Sequence, residues 1–150
     1  MRALLQRVTR CLVRVEGEEV SRIGPGLLVL LGISVHDGPE DIDYLVRKIP
    51  DLRIFDDAEG KLNLSLRDVG GELMVVSQFT LYGDPGKGRR PSYVEAAPPD
   101  KAEELYRQAC AAFAAAGFPP AEGRFGAHME VELVNDGPVT LLLESPQRSR

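Results

Sequence analysis

Gly26-Leu27-Leu28-Val29-Leu30-Leu31-Gly32-Ile33 carries no polar or charged side chain over eight residues, and the rest of the sheet is placed around it. The run is far shorter than the roughly 20 apolar residues of a membrane-crossing helix. It follows the turn-forming Gly24-Pro25-Gly26, and its length and branched side chains suit a strand covered on both faces. Such a strand belongs in the middle of a sheet. Upstream, Arg2 to Val15 is rich in Val and Leu and partly alternating, and Glu16-Gly17-Glu18 is a turn before Glu19 to Ile23. These segments predict a β-hairpin beside the central strand.

Downstream the period changes. Asp37-Gly38-Pro39 offers a potential cap and a proline at a helix start, and Ile42, Leu45, Val46 and Ile49 follow at helical spacing up to Pro50. Asp56-Asp57-Ala58-Glu59-Gly60 is a turn cluster and Leu73-Met74-Val75-Val76 a further strand. A second helix is predicted from Pro98-Pro99-Asp100, with Ala102, Leu105, Tyr106, Ala109 and Phe113 on one stripe and Gly117 as its stop. Met129, Val131 and Leu133 alternate with His128, Glu130 and Glu132, and after Gly137-Pro138 a last strand is expected from Val139 to Leu143. The order of strands, helix, strand, helix and strands predicts an α/β chain of the α+β type. Its two main helices lie beside one mixed, largely antiparallel or barrel-like sheet, in a single domain spanning residues 1–150.

Composition narrows the function classes. With 43% hydrophobic and 27% charged residues in 150, the chain is an ordinary globular one, large enough for a core of its own. Met1 to Arg7 lacks the sustained apolar core of a signal peptide, so a cytoplasmic location with no membrane partner is expected. Cys11 and Cys110 form no CxxC pair, which leaves two reduced thiols, no metal site and no cofactor. The net charge of −5 speaks against broad nucleic-acid contact and predicts no DNA partner. Between Gly83 and Tyr93, however, Lys87, Arg89 and Arg90 stand against the single Asp84, a local net of +2 suited to phosphates. Taken alone, that segment reads more simply as a solvated loop.

The usual catalytic signatures are missing. There is no GxSxG, and His36 and His128 are the only histidines, so a Ser-His-Asp triad is not expected. Gly83 and Gly88 have phosphate-loop spacing, but Arg89-Arg90 stands where Lys and Ser or Thr belong. Asp56-Asp57 and Glu103-Glu104 lie in a turn and on a polar helix face, where solvation explains them.

Two segments are not accounted for by core packing: Ser77-Gln78-Phe79-Thr80-Leu81-Tyr82, and Asn135-Asp136-Gly137-Pro138-Val139-Thr140 about sixty residues later. Together with Arg53-Ile54-Phe55-Asp56-Asp57, Asn63-Leu64-Ser65-Leu66, Lys87-Gly88-Arg89-Arg90-Pro91-Ser92 and Phe125-Gly126-Ala127, they make the chain resemble the D-aminoacyl-tRNA deacylase family over nearly its whole length. The resemblance implies hydrolysis of the ester between a D-amino acid and tRNA by a homodimer. In it, Ser77, Gln78, Phe79 and Thr80 of one subunit meet a cis Gly137-Pro138 of the other, which rejects L-amino acids. Aminoacylated tRNA is then the partner, with Lys87, Arg89 and Arg90 on its phosphates. Main-chain N–H groups of Phe79 and Thr80 are candidates for holding the oxyanion, and Gln78 for orienting the adenosine or ester. Two attackers stay open: the Thr80 hydroxyl, which has no nearby His or Lys in its motif, and a water assisted by the ribose 2′-hydroxyl, which we favour. A gate that works by exclusion also admits glycine, so glycyl-tRNA is an expected second substrate.

Overall fold

Strand β1 (Arg2–Val15) organises the sheet because it is long enough to serve several partners at once. Its first half pairs antiparallel with β3 (Gly26–Gly32) and its second half with β2 (Glu18–Ile23), while β8 (Glu130–Glu144) runs antiparallel along its other edge. Beyond β3 come β6 (Glu72–Ser77) and the short β7 (Ala121–Glu122), both parallel to their neighbours. The Ser21 hydroxyl donates to the Glu122 carbonyl at 2.7 Å, drawing β2 towards β7, so the sheet curls into a nearly closed barrel. The computed structural model describes residues 1–147; a frayed tail is expected from Pro146 to Arg150, and its positions 148–150 lie outside the described residues.

The apolar run behaves as its pattern requires. Leu28 joins Val8, Cys11, Val13, Ile23, Met74 and Val76 in one core inside the curled sheet. Leu27, Val29 and Leu31 point the other way, into a second core covered by α1 (Pro39–Lys48) and α3 (Pro99–Ala115) through Ile42, Leu45, Leu105 and Phe113. A period of two over a strand buried on both faces thus feeds two cores. Among the described residues no helix is long and apolar enough to cross a membrane.

Three local expectations need correction. The cap of α1 is Gly38, whose N–H donates to the Asp41 carboxylate at 2.9 Å; Asp37 is buried instead, accepting from the Ser34 N–H and the Met1 amine, each at 2.7 Å. A third, one-turn helix α2 (Leu66–Val69), capped by Ser65, follows the small hairpin of β4 (Phe55–Asp56) and β5 (Leu62–Leu64) around the turn cluster. The third correction concerns the end of the chain. Asn135 to Thr140 does not turn between two strands, because β8 continues through it for 15 residues along β1.

Candidate active site

Where β6 ends, the chain turns away from the sheet. The Gln78 N–H makes the last rung, to the Leu31 carbonyl at 2.8 Å, and Phe79–Tyr82 form a single 3₁₀ turn. Within it the Leu81 N–H donates to the Gln78 carbonyl (3.2 Å) and the Gly83 N–H to that of Thr80 (3.0 Å). Phe79 and Thr80 occupy the opening positions, where a helical turn has no carbonyl of its own to accept their N–H groups. The Gln78 side-chain amide donates to the Thr80 hydroxyl. Ser77 and Gln78 are half-buried, whereas Phe79 and Thr80 are exposed.

Two residues fix the position of this turn. Gly32 lies beneath it, and a Cβ there would come within 2.9 Å of the Leu81 Cβ and 3.1 Å of the Gln78 carbonyl, so only glycine allows the turn so close to β3. From β1, Arg2 donates through Nη1 to the Leu81 carbonyl (2.7 Å) and through Nε to Glu144 (2.9 Å), with its guanidinium 4.5 Å from the Tyr82 ring centre. Desolvation raises the Tyr82 phenol well above its ordinary value. The Cys11 and Cys110 thiols are likewise pushed up by burial, to about 11 and about 12, so neither is a nucleophile at neutral pH. His36 is exposed beside Glu95 (3.7 Å), and His128 is exposed just ahead of β8.

The second motif is an excursion from β8. Val8 faces Asn135 and Gln6 faces Thr140, so Arg7 alone is opposed by residues 136–139 and the surplus is thrust outward as an enlarged bulge. Gly137 and Pro138 are exposed at its tip, the peptide bond between them is cis, and Val139 returns to the core. The Asn135 side chain closes the neck, its Nδ2 donating to the carbonyls of Arg7 (2.9 Å) and Val139 (3.1 Å). Arg7, only 5% exposed, donates through Nε to the Asp136 carbonyl (2.9 Å) and through Nη1 to the Ile54 carbonyl (3.1 Å). The Asp56 and Asp136 carboxylates lie 3.3 Å away. The sequence reading missed Arg7. Its signal is a charge on the inward face that begins Ala3, Leu5, where only a paired group survives burial.

One chain does not bring the two motifs together. Ser77 pairs with Leu31, which pairs with Ala3; Asn135 pairs with Val8, which pairs with Gly26. The five-residue offset along β3 corresponds to about 17 Å at ~3.3 Å per residue. A cleft of about 680 Å³ lined by Arg2, Ser34, His36 and Tyr82 adjoins the turn, and another of about 370 Å³ lined by Val8, Phe55 and Asp136 adjoins the excursion. The outer edge of β8 has no strand partner among the described residues, and Val134, Leu141 and Leu142 are exposed along it.

Lys87, Arg89 and Arg90 ride on a loop closed by reciprocal main-chain bonds between Asp84 and Ser92, both 2.8 Å. All three are exposed, and among the described residues none forms an ion pair, whereas Arg2, Arg7, Arg10, Arg14 and Arg22 each do. Arg89 and Arg90 are therefore available to an anion.

The family model described as D-Tyr-tRNA(Tyr) deacylase matches residues 4–144. A D-aminoacyl-tRNA deacylase of Thermosipho africanus (strain TCF52B) is 60% identical over 145 residues, covering 97% of each chain. One from Myxococcus xanthus (strain DK1622) is 56% identical over 146 residues, covering 97% of this chain and 95% of its own. Among solved structures, one described as c-Myc DNA Unwinding Element Binding Protein superposes with a TM-score of 0.93 at 44% identity, covering 98% of this chain and 100% of that one. A probable eukaryotic D-amino acid tRNA deacylase superposes at 0.78 over 95% and 98% of the two chains; at 20% identity it bears on the fold alone.

Proposed function

The chain belongs to the D-aminoacyl-tRNA deacylase family, and from that premise we propose how its own residues perform the reaction. It is a hydrolase: water is added across the ester of D-aminoacyl-tRNA, releasing the D-amino acid and free tRNA. In our reading a single-domain protomer works in the cytoplasm as half of a homodimer, with Ser77 to Thr80 of one copy facing Gly137-Pro138 of the other. The separation of the two motifs along one sheet supports this, because each lacks the other within its own chain. The exposed apolar edge of β8 supports it too, since such an edge is a template for pairing.

The observation that carries the mechanism is the chemistry of the turn: main-chain donors at Phe79 and Thr80, and a Gln78 amide engaged with the Thr80 hydroxyl. The N–H groups of Phe79 and Thr80 hold the oxyanion of the tetrahedral intermediate, a role that needs pre-aimed donors and no titration. Ser77 and Gln78 line the site, Gln78 orienting the adenosine or ester. No His or Lys stands in the motif around Thr80 to activate it, so the attacking water is assisted by the ribose 2′-hydroxyl of the substrate. Gly137 and Pro138 stand where an L side chain would project and exclude it, while glycine, with no side chain, is admitted and glycyl-tRNA is hydrolysed. Lys87, Arg89 and Arg90 hold acceptor-end phosphates without reading sequence. The DNA element in one neighbour's description belongs to that protein; our reading for this chain is aminoacyl-tRNA, without DNA.

Purified protein given matched D- and L-tyrosyl-tRNA tests the whole: rapid loss of the D-ester beside a persistent L-ester is expected. Equal rates on both would remove the gate. A substrate ending in 2′-deoxyadenosine should be cut far more slowly, and undiminished cleavage would return the attack to Thr80.

A further inference from the structure

Within a single chain Phe79 and Tyr93 lie exposed side by side. Their ring centres are 5.2 Å apart with planes tilted by 58°, and they are 55% and 41% exposed, with Val94 next to them 77% exposed. Contiguous aromatic surface beside a reaction site is a mark of an occupant. Tyr93 is held there by local geometry. Gly83, which closes the Phe79–Tyr82 turn, lies so near that a Cβ would meet the Tyr93 Cε1 at 2.8 Å, and the Asp84–Ser92 bridge brings the loop back to that point. The same loop carries Lys87, Arg89 and Arg90 without ion-pair partners among the described residues.

We infer that Phe79 and Tyr93, flanked by Lys87, Arg89 and Arg90, form a stacking platform for the unpaired nucleotides that precede the terminal adenosine. The inference rests on the deacylase reading and extends it beyond the reacting nucleoside. Exposed π-faces beside unpaired cations are the pairing that binds single-stranded nucleic acid, the rings taking bases and the cations taking phosphates. Three cations within four residues, Lys87, Arg89 and Arg90, favour a polyanionic strand over a protein partner. Position agrees: the ester must reach the main chain of Phe79 and Thr80, so the strand leading to it passes over adjoining surface. Every base has a π-face, so the platform accepts a strand without reading its sequence.

The discriminating experiment measures kcat/KM for Tyr93→Ala and Tyr93→Leu on two substrates: full-length D-tyrosyl-tRNA and D-tyrosyl-adenosine, which has the reacting nucleoside but no preceding nucleotides. On tRNA we expect a loss between about 5-fold and about 150-fold, carried mainly by KM, as removal of one base stack requires. On the adenosine ester both variants should stay within about twofold of the unmodified enzyme, and Tyr93→Phe should restore tRNA activity. Arg89→Ala should lower the slope of log(kcat/KM) against log salt on tRNA by about one phosphate contact. Equal losses on both substrates would reduce Tyr93 to a local support, and unchanged tRNA kinetics would leave the surface without a role. Variants turned monomeric in light scattering would make a second copy of the chain the occupant. If the unmodified enzyme cleaves neither substrate, the deacylase reading fails first and takes the platform with it.

Discussion

Replacing Arg7 by Met separates holding the fold from holding the proposed gate. The buried guanidinium serves two main-chain carbonyls, at Ile54 and Asp136, and two carboxylates, at Asp56 and Asp136, that are about half exposed. On substitution the carboxylates return to water at little cost, as half-exposed ion pairs do. The carbonyls lose charged donors, at about 1 to 3 kcal/mol each. Met refills much of the volume and removes a buried charge, which offsets part of the loss. A net destabilisation of roughly 2 to 4 kcal/mol follows, out of the roughly 5 to 15 available to a domain. The variant therefore folds, with a melting temperature lower by roughly 5 to 15 °C. Asn135 alone then braces the neck of the excursion. A wall that excludes an L side chain must resist being pushed, so discrimination should suffer more than D-turnover. Urea unfolding gives the first quantity, and deacylation of matched D- and L-tyrosyl-tRNA the second. A variant destabilised as calculated but with an unchanged D to L ratio would refute the role assigned to Arg7 in the gate.

Leu142→Lys places a charge on the apolar outer edge of β8, at a residue 54% exposed in one chain; it should yield a folded but inactive monomer by light scattering and circular dichroism, and an active monomer would end the cross-subunit site. Thr80→Ala should keep turnover within about tenfold, whereas loss of a true nucleophile costs orders of magnitude more; a trapped acyl ester on Thr80 would decide for direct attack. Glycyl-tRNA should be hydrolysed while L-alanyl-tRNA resists, and equal resistance of the two would replace exclusion by a pocket that grips the D side chain. Cys11 and Cys110, pushed up to about 11 and about 12, bear little thiolate at pH 8, so iodoacetamide should label them only after unfolding; rapid labelling of the native protein would contradict their burial.

Most of the fold was legible because its elements announce themselves locally. Leu27 to Ile33 reads as a doubly covered strand, and β3 is one, feeding Leu28 to one core and Leu27, Val29 and Leu31 to the other. The stripe Ala102, Leu105, Tyr106, Ala109 and Phe113 reads as the packed face of α3. What failed was the end of the chain, where Gly137-Pro138 carries the local chemistry of a tight turn. There the decision belongs to β1, whose long edge pairs with Leu133 and Val134 before the excursion and with Thr140 to Glu144 after it. No window of sequence around Gly137 contains that partner. Arg7 was missed for the same reason, since the carbonyls of Ile54 and Asp136 that justify its burial come from distant segments.

The proposed site is written in motifs and hardly at all in reactive side chains, and the physical cause is specific. A triad or a metal centre advertises itself because the reacting atoms belong to rare side chains. Here the groups assigned to the reaction are N–H groups of Phe79 and Thr80, which every residue type except proline can supply, and the backbone at Gly137 and Pro138. Side chains enter chiefly by shaping that backbone: Gly32 by being absent beneath the turn, Arg2 by taking the Leu81 carbonyl, Asn135 and Arg7 by closing the neck of the excursion. Substitutions at these four positions should thus change activity through geometry, with little effect on the shape of the pH profile. A side chain that donated or removed the transferred proton would instead move a limb of that profile when replaced. The pH dependence of Arg2→Met and Asn135→Ala, set against that of the unmodified enzyme, therefore tests whether the main chain and the substrate's own hydroxyl suffice for the chemistry.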